Sequence, residues 1–170
     1  MPGMNSALAR VAAGLALAAV FAMPPAMAQP AAPSAEAKDF ASSAEIKAQV
    51  KAMLAEMKPD QGFMWRPVVR QGATVAAIEI WKKSGRPAIH PADAEYAIVL
   101  QGKGTLLSGG TMADQVVKRP ELVEGSRIEG GVTRTLSAGD VILIPAGAPH
   151  WFGVEGGELI LLGVKIPAAR

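Results

Sequence analysis

His90 and His150 are the only two imidazoles in the 170-residue chain, which contains no cysteine. Any nitrogen-ligated metal or imidazole-driven proton transfer must use one or both, while thiolate sites, disulfide frameworks and cysteine nucleophiles are excluded. The first histidine stands in Gly85-Arg-Pro-Ala-Ile-His90-Pro-Ala-Asp-Ala-Glu95, with Gly102 further on. The second stands in Gly139-Asp-Val-Ile-Leu-Ile-Pro145-Ala-Gly147-Ala-Pro-His150-Trp151. If the strands around these segments meet inside one barrel, two imidazoles and the Glu95 carboxylate converge. Two His and one carboxylate can hold a divalent metal with open positions, a donor set suited to non-haem Fe(II) or Mn. Asp93 is close enough in sequence to substitute as a ligand or to brace one; a solvated turn aspartate is the alternative.

The segments that must position these groups read as β structure. From Phe63 onward, short runs rich in Val, Ile, Leu and Thr alternate with Gly, Pro and Asp turns. They predict strands over 63–70, 73–81, 95–101, 104–107, 127–136, 140–144, 150–154 and 158–166, the pattern of a sandwich or barrel. Gly102 and Gly139 are expected to let the chain reverse, Pro145 and Gly147 to make a tight turn, and Pro149 to launch His150 into a strand. The runs 96–100, 141–144 and 159–162 are apolar throughout, so both faces of those strands need cover. One face can line the barrel; the other calls for a helix or a second subunit, which suggests a homodimer. The polar stretch 109–131 between the two histidine segments is either a loop over the barrel mouth or an edge hairpin.

Ahead of the barrel, Ser42 and Glu45 form a capping-box pattern. Ile46, Val50, Leu54 and Met57 then recur at helical spacing opposite Lys47, Lys51 and Lys58, until Pro59 stops the run. The expected element is an amphipathic helix over 43–58 laid on the barrel domain 59–170. Residues 29–42 are rich in Ala, Pro and Ser and read as a tether. Residues 1–28 join a single early base, Arg10, to an uncharged apolar core, the Pro24-Pro25 breaker and the small-x-small site Ala26-Met27-Ala28. That is the pattern of a secretory signal peptide cut after Ala28, with a core too short to span a bilayer. A periplasmic or secreted mature chain with no stable membrane anchor follows. The net charge of +2 comes from scattered bases among nearly as many acids, which argues against a nucleic-acid partner.

The two histidine segments resemble the paired motifs of the cupin superfamily. His90, Glu95 and Gly102 match the second His, the Glu and the closing Gly of its first motif. Gly139, Pro145, Gly147 and His150 match its second motif. The resemblance covers roughly residues 63–166 and implies an all-β, jelly-roll barrel, here with one N-terminal helix, holding a metal inside through His90, Glu95 and His150. Two positions depart from the pattern: Ala88 replaces the first His, and Val154 replaces the terminal Asn of the second motif. The expected cofactor is one divalent ion from among Zn, Mn, Fe, Ni and Cu. The affinity order favours Zn or Cu for a site loaded outside the cytoplasm.

Other groups are candidates for the surrounding pocket. Phe152 shares a strand face with His150, whereas Trp151 points oppositely. Trp81 and Phe152 can line a ligand pocket or simply pack the core. Glu79 shares a face with Trp81 and, if it points inward, is a second carboxylate for acid/base work. Arg66 and Arg70 share a face and can meet an anionic substrate or remain surface charges. The sequence therefore points to an exported cupin acting on a small polar or carboxylated molecule with metal help, as an oxygenase, lyase or isomerase. The competing reading is a non-catalytic barrel that binds a small ligand, with or without metal.

Overall fold

The computed structural model describes residues 38–167, so the expected signal peptide and most of the tether lie outside the described residues. Among the described residues, helix α1 (Ser43–Glu56) comes first and eleven strands follow. Ser42 caps the helix: its Oγ accepts from the Glu45 backbone N–H at 3.2 Å, and the Glu45 carboxylate accepts from the Ser42 N–H at 2.7 Å. The helix stops at Glu56, where Met57 leaves helical geometry and donates back to the Met53 carbonyl. Pro59 follows and cannot prolong it. No helix among the described residues is long and apolar enough to cross a membrane.

Two long strands, β4 (Asp93–Ser108) and β11 (His150–Pro167), form the antiparallel spine of the fold. On one side of β11 lie β2 (Thr74–Trp81) and then β1 (Phe63–Gln71). The start of β11 pairs with β3 (Ala88–Ile89), which continues the sheet into β7 (Leu122–Glu124) and β6 (Val116–Arg119). The other edge of β4 carries β9 (Val132–Ser137) and β10 (Val141–Ile144). A small separate ribbon pairs β5 (Thr111–Ala113) with β8 (Arg127–Glu129). This is the curled antiparallel sheet of a jelly-roll barrel with one helix against it.

Strand boundaries differ from expectation at the glycines. Gly102 does not reverse the chain: β4 runs through it, and so the predicted strands 95–101 and 104–107 are one. Gly102 instead sits at φ +85°, opposite a register shift between Glu155 and Leu159 in β11. Gly156 and Gly157, at φ +70° and +115°, make the matching irregularity. Glycines tolerate such bulges, which bend a strand without ending it. A Cβ on Gly102 would also strike the Glu158 carbonyl. Conversely, the single strand expected over 127–136 is split at Gly130-Gly131, both at positive φ, into β8 and β9. The turn through Pro145 and Gly147 and the launch of β11 at His150 follow the expected pattern.

The twofold alternation of the strands creates two cores. Val99, Leu106, Leu136, Ile142, Phe152 and Leu161 fill the barrel interior with their neighbours. On the opposite face, Ile78, Ile80 and Ile160 meet Met53 of the helix and Met57 at its C-cap, with Ile46, Val50 and Leu54 around them. Met53 is fully buried, a burial that contributes about 1.5–3 kcal/mol. Leu159, Ile160 and Leu161 are accordingly buried on both faces of β11. On β10, Ile142 and Ile144 point inward, while Val141 and Leu143 on the other face are 62% and 66% exposed and are not covered by the helix.

Candidate metal centre

The same alternation aims the chemistry inward. On β4, Glu95 shares the interior face with Ala97 and Val99; on β2, Glu79 shares it with Ala77 and Trp81, while Ile78 and Ile80 face the helix. His150 opens β11 directly after the Pro145–Pro149 turn, and His90 follows the short strand β3. One ligand atom from each of His90, Glu95 and His150 lies within 4.8 Å of the others. Glu95 Oε2 is 3.6 Å from His90 Nε2 and 3.4 Å from His150 Nε2. Two donors bound at about 2.1 Å to one ion with tetrahedral angles stand about 3.4 Å apart, so the spacing fits a shared metal.

The imidazoles are oriented for ligation by their far nitrogens. His90 Nδ1 lies 2.9 Å from the Glu121 carbonyl oxygen, and His150 Nδ1 lies 3.1 Å from that of Ala148. A carbonyl only accepts, so in each ring Nδ1 carries the proton and Nε2 presents its lone pair toward Glu95. Burial, followed by the nearby Lys165 charge, lowers the pKa of His90 and favours the neutral ring that a metal requires. Burial alone would raise the Glu95 carboxyl. The Lys165 ammonium, whose Nζ donates to Glu95 Oε2, is a cause acting the other way, and the group is held well below the usual carboxylate range. Two Nε2 atoms and an ionised carboxylate oxygen facing one another are the donors of a ligating set, and the residues fit a divalent ion.

The centre opens into a cavity of 640 Å³. One wall is aromatic: Trp81 lies between Phe63, with ring centroids 4.3 Å apart, and Phe152, at 6.0 Å. Trp65 extends this wall at the rim. Another part is charged, with Arg86, Arg119, Glu124 and Lys165 joining Glu79 and Glu95. Glu79 is buried and accepts from Trp81 Nε1 at 3.3 Å. Burial and the neighbouring Glu95 charge push its carboxyl up to about 7.

Among the sequence candidates, Trp81, Phe152 and Glu79 join His90, Glu95 and His150 around this cavity. Arg66 does not. It pairs with Glu56 of the helix at 2.5 Å, because alternation along β1 turns Phe63 and Trp65 toward the cavity and Arg66 away. Asp93 begins β4 opposite Pro167 and stands outside both the ligand cluster and the cavity lining. Trp151 points away from the centre and donates to the Gly85 carbonyl. The stretch 109–131 is hairpin and wall at once, since β6 and β7 join the sheet and supply Arg119, Leu122 and Glu124 to the cavity. Sequence reasoning missed the Glu121 carbonyl, which has no side-chain signature. It also missed Lys165, which faces Glu95 only through the β4–β11 register.

A curled β-barrel with inward His and Glu donors defines the class of protein, and the sequence profile of the cupin family matches residues 67–165. The chain belongs to the cupin family. No curated protein is similar enough to it to count as a relative. Several solved structures resemble it in fold. A protein of Thermus thermophilus is 19% identical, with a TM-score of 0.48, covering 69% of this chain and 93% of that one. A cupin superfamily protein of Desulfitobacterium hafniense is 16% identical, with a TM-score of 0.47, covering 69% and 87%. A predicted oxalate decarboxylase of Thermotoga maritima is 18% identical, with a TM-score of 0.46, covering 62% and 81%.

Proposed function

We propose that this cupin is exported, binds one divalent metal ion through His90, Glu95 and His150, and acts as a metal-dependent enzyme on a small polar or carboxylated molecule. The observation that carries the reading is the convergence of the three donors with both Nδ1 atoms committed to backbone carbonyls. When bound, the ion supplies Lewis acidity, polarising an oxygen of the ligand. The protein's own groups do the rest. Arg86, Arg119 and Lys165, paired in the free protein with Glu124, Glu121 and Glu95, can turn to a carboxylate of the ligand at the charged wall, while Phe63, Trp65 and Trp81 pack against its apolar parts and displace water. Glu79, near neutrality in its proton affinity, is placed to give or take a proton as a general acid or base.

Elemental analysis of protein isolated from the periplasm tests the metal. Stoichiometric metal is expected in the wild type, and its loss in the His90→Ala, His150→Ala double variant. Sub-stoichiometric metal unchanged by the substitutions refutes the reading. Turnover of candidate acids and sugars then separates enzyme from binder: a wild-type rate no better than the double variant leaves the non-catalytic barrel. That second reading draws support from Ala88, which stands where the family motif has a further His. Export is tested by N-terminal sequencing, with Gln29 expected first. The exposed Val141 and Leu143 support a homodimer through β10; Leu143→Lys should halve the sedimenting mass, and a wild-type monomer at micromolar concentration removes the dimer.

A further inference from the structure

Lys165 lies directly across from Glu95 in the β4–β11 register, and its side chain extends into the same cavity. Its Nζ donates to Glu95 Oε2. That oxygen is also the one facing Nε2 of both histidines. Thus a single carboxylate oxygen is approached by two ring nitrogens and one ammonium. The carboxylate is buried, with a side-chain exposure of 3%, whereas the Lys165 side chain is 39% exposed. The acid is therefore fixed and the cation free to withdraw toward the cavity mouth, a combination that suits a displaceable counter-ion. A buried carboxylate needs a positive partner, and among the described residues Lys165 is the charged side chain bonded to it.

Resting on the metal reading above, we infer that Lys165 is the internal counter-ion of Glu95 in the metal-free protein and competes with the metal for Oε2. Both cations seek the same oxygen, and an ammonium left beside a divalent ion is repelled by it. Lys165 must swing away as the ion enters, so part of the metal's binding energy is spent on breaking the Lys165–Glu95 pair. The device keeps the empty centre folded and electrically balanced while lowering its affinity. Lys165 acts through Glu95 and is a positioning residue.

The test is calorimetric titration of metal-stripped full-length mature protein with Zn(II) and Mn(II), for wild type, Lys165→Met and Lys165→Arg. The methionine keeps the apolar stem and removes the charge. Lys165→Met is expected to bind at least about ten-fold more tightly than wild type, and Lys165→Arg to stay within about three-fold of it. Thermal melts supply a second readout: metal-free Lys165→Met should melt below the metal-free wild type, and saturating Zn(II) should raise its melting temperature by the larger amount. Equal or weaker binding by Lys165→Met overturns the competition, because a lysine that merely braces the ligand would be missed when removed. If neither protein binds metal while both melt cooperatively, the metal reading itself fails. If the wild type binds and the variant is unchanged, only the role of Lys165 fails.

Discussion

Ala88 is the register partner of His150 across β3 and β11, and it lines the cavity beside the three candidate ligands. The position where the family motif carries a further imidazole is therefore structurally intact, with a methyl group in place of a donor. Ala88→His should add a ligand and tighten Zn(II) binding by roughly ten-fold or more. Isothermal titration of the two metal-stripped proteins checks this. An unchanged affinity would mean that β3 does not aim position 88 at the ion.

Glu79 provides a pH signature of stability. Its carboxyl is raised from 4.5 to about 7 by burial, then by the charge of Glu95. The unfolded chain thus releases this proton at lower pH than the folded one, and between the two values the unfolded state binds fewer protons. Stability from this group is fullest below the unfolded value, declines as pH rises and levels off above the folded value. Glu79→Gln, which keeps the acceptor for Trp81, removes that decline. In metal-free protein it should add on the order of 3 kcal/mol at pH 8 and little at pH 4. Denaturant melts at the two pH values measure the difference, and a gain equal at both would disprove the assignment.

The helix is expected to be an integral part of the domain. Met53→Ala removes a fully buried side chain from the helix-side core and should cost about 2–5 kcal/mol. A urea denaturation midpoint close to wild type would show that α1 is dispensable. Because Met53 lies on the far face of the sheet from the His–Glu–His centre, Zn(II) affinity at a temperature where the variant is folded should stay unchanged.

The parts of the centre legible in the sequence are those carried by rare residue types in punctuated segments. With two histidines available, both motif positions stand out, and the Pro145–Pro149 turn announces where β11 starts. Alternation is enough to place Phe152 beside His150 and Glu79 beside Trp81. It cannot decide Arg66, because choosing which face of β1 looks inward requires knowing that the helix covers the other. Lys165 and the Glu121 carbonyl are hidden for a different reason. Their roles depend on pairing across the fold, at separations of 70 and 31 residues from Glu95 and His90, and no local pattern encodes such pairings. Gly102 misleads as a reversal signal, since a bulge and a turn use the same backbone freedom.

That bulge has a mechanical consequence. Glu95 pairs with Lys165 near one end of the β4–β11 ribbon, and His150 pairs with Ser108 at the other. In a flat ribbon those ends would lie about 40 Å apart, yet Glu95 Oε2 and His150 Nε2 are 3.4 Å from each other. The ribbon is doubled over, and its two legs meet at the ligands. A metal held there would act as a clasp on a hairpin-shaped spring, so opening the barrel and releasing the ion would be one motion.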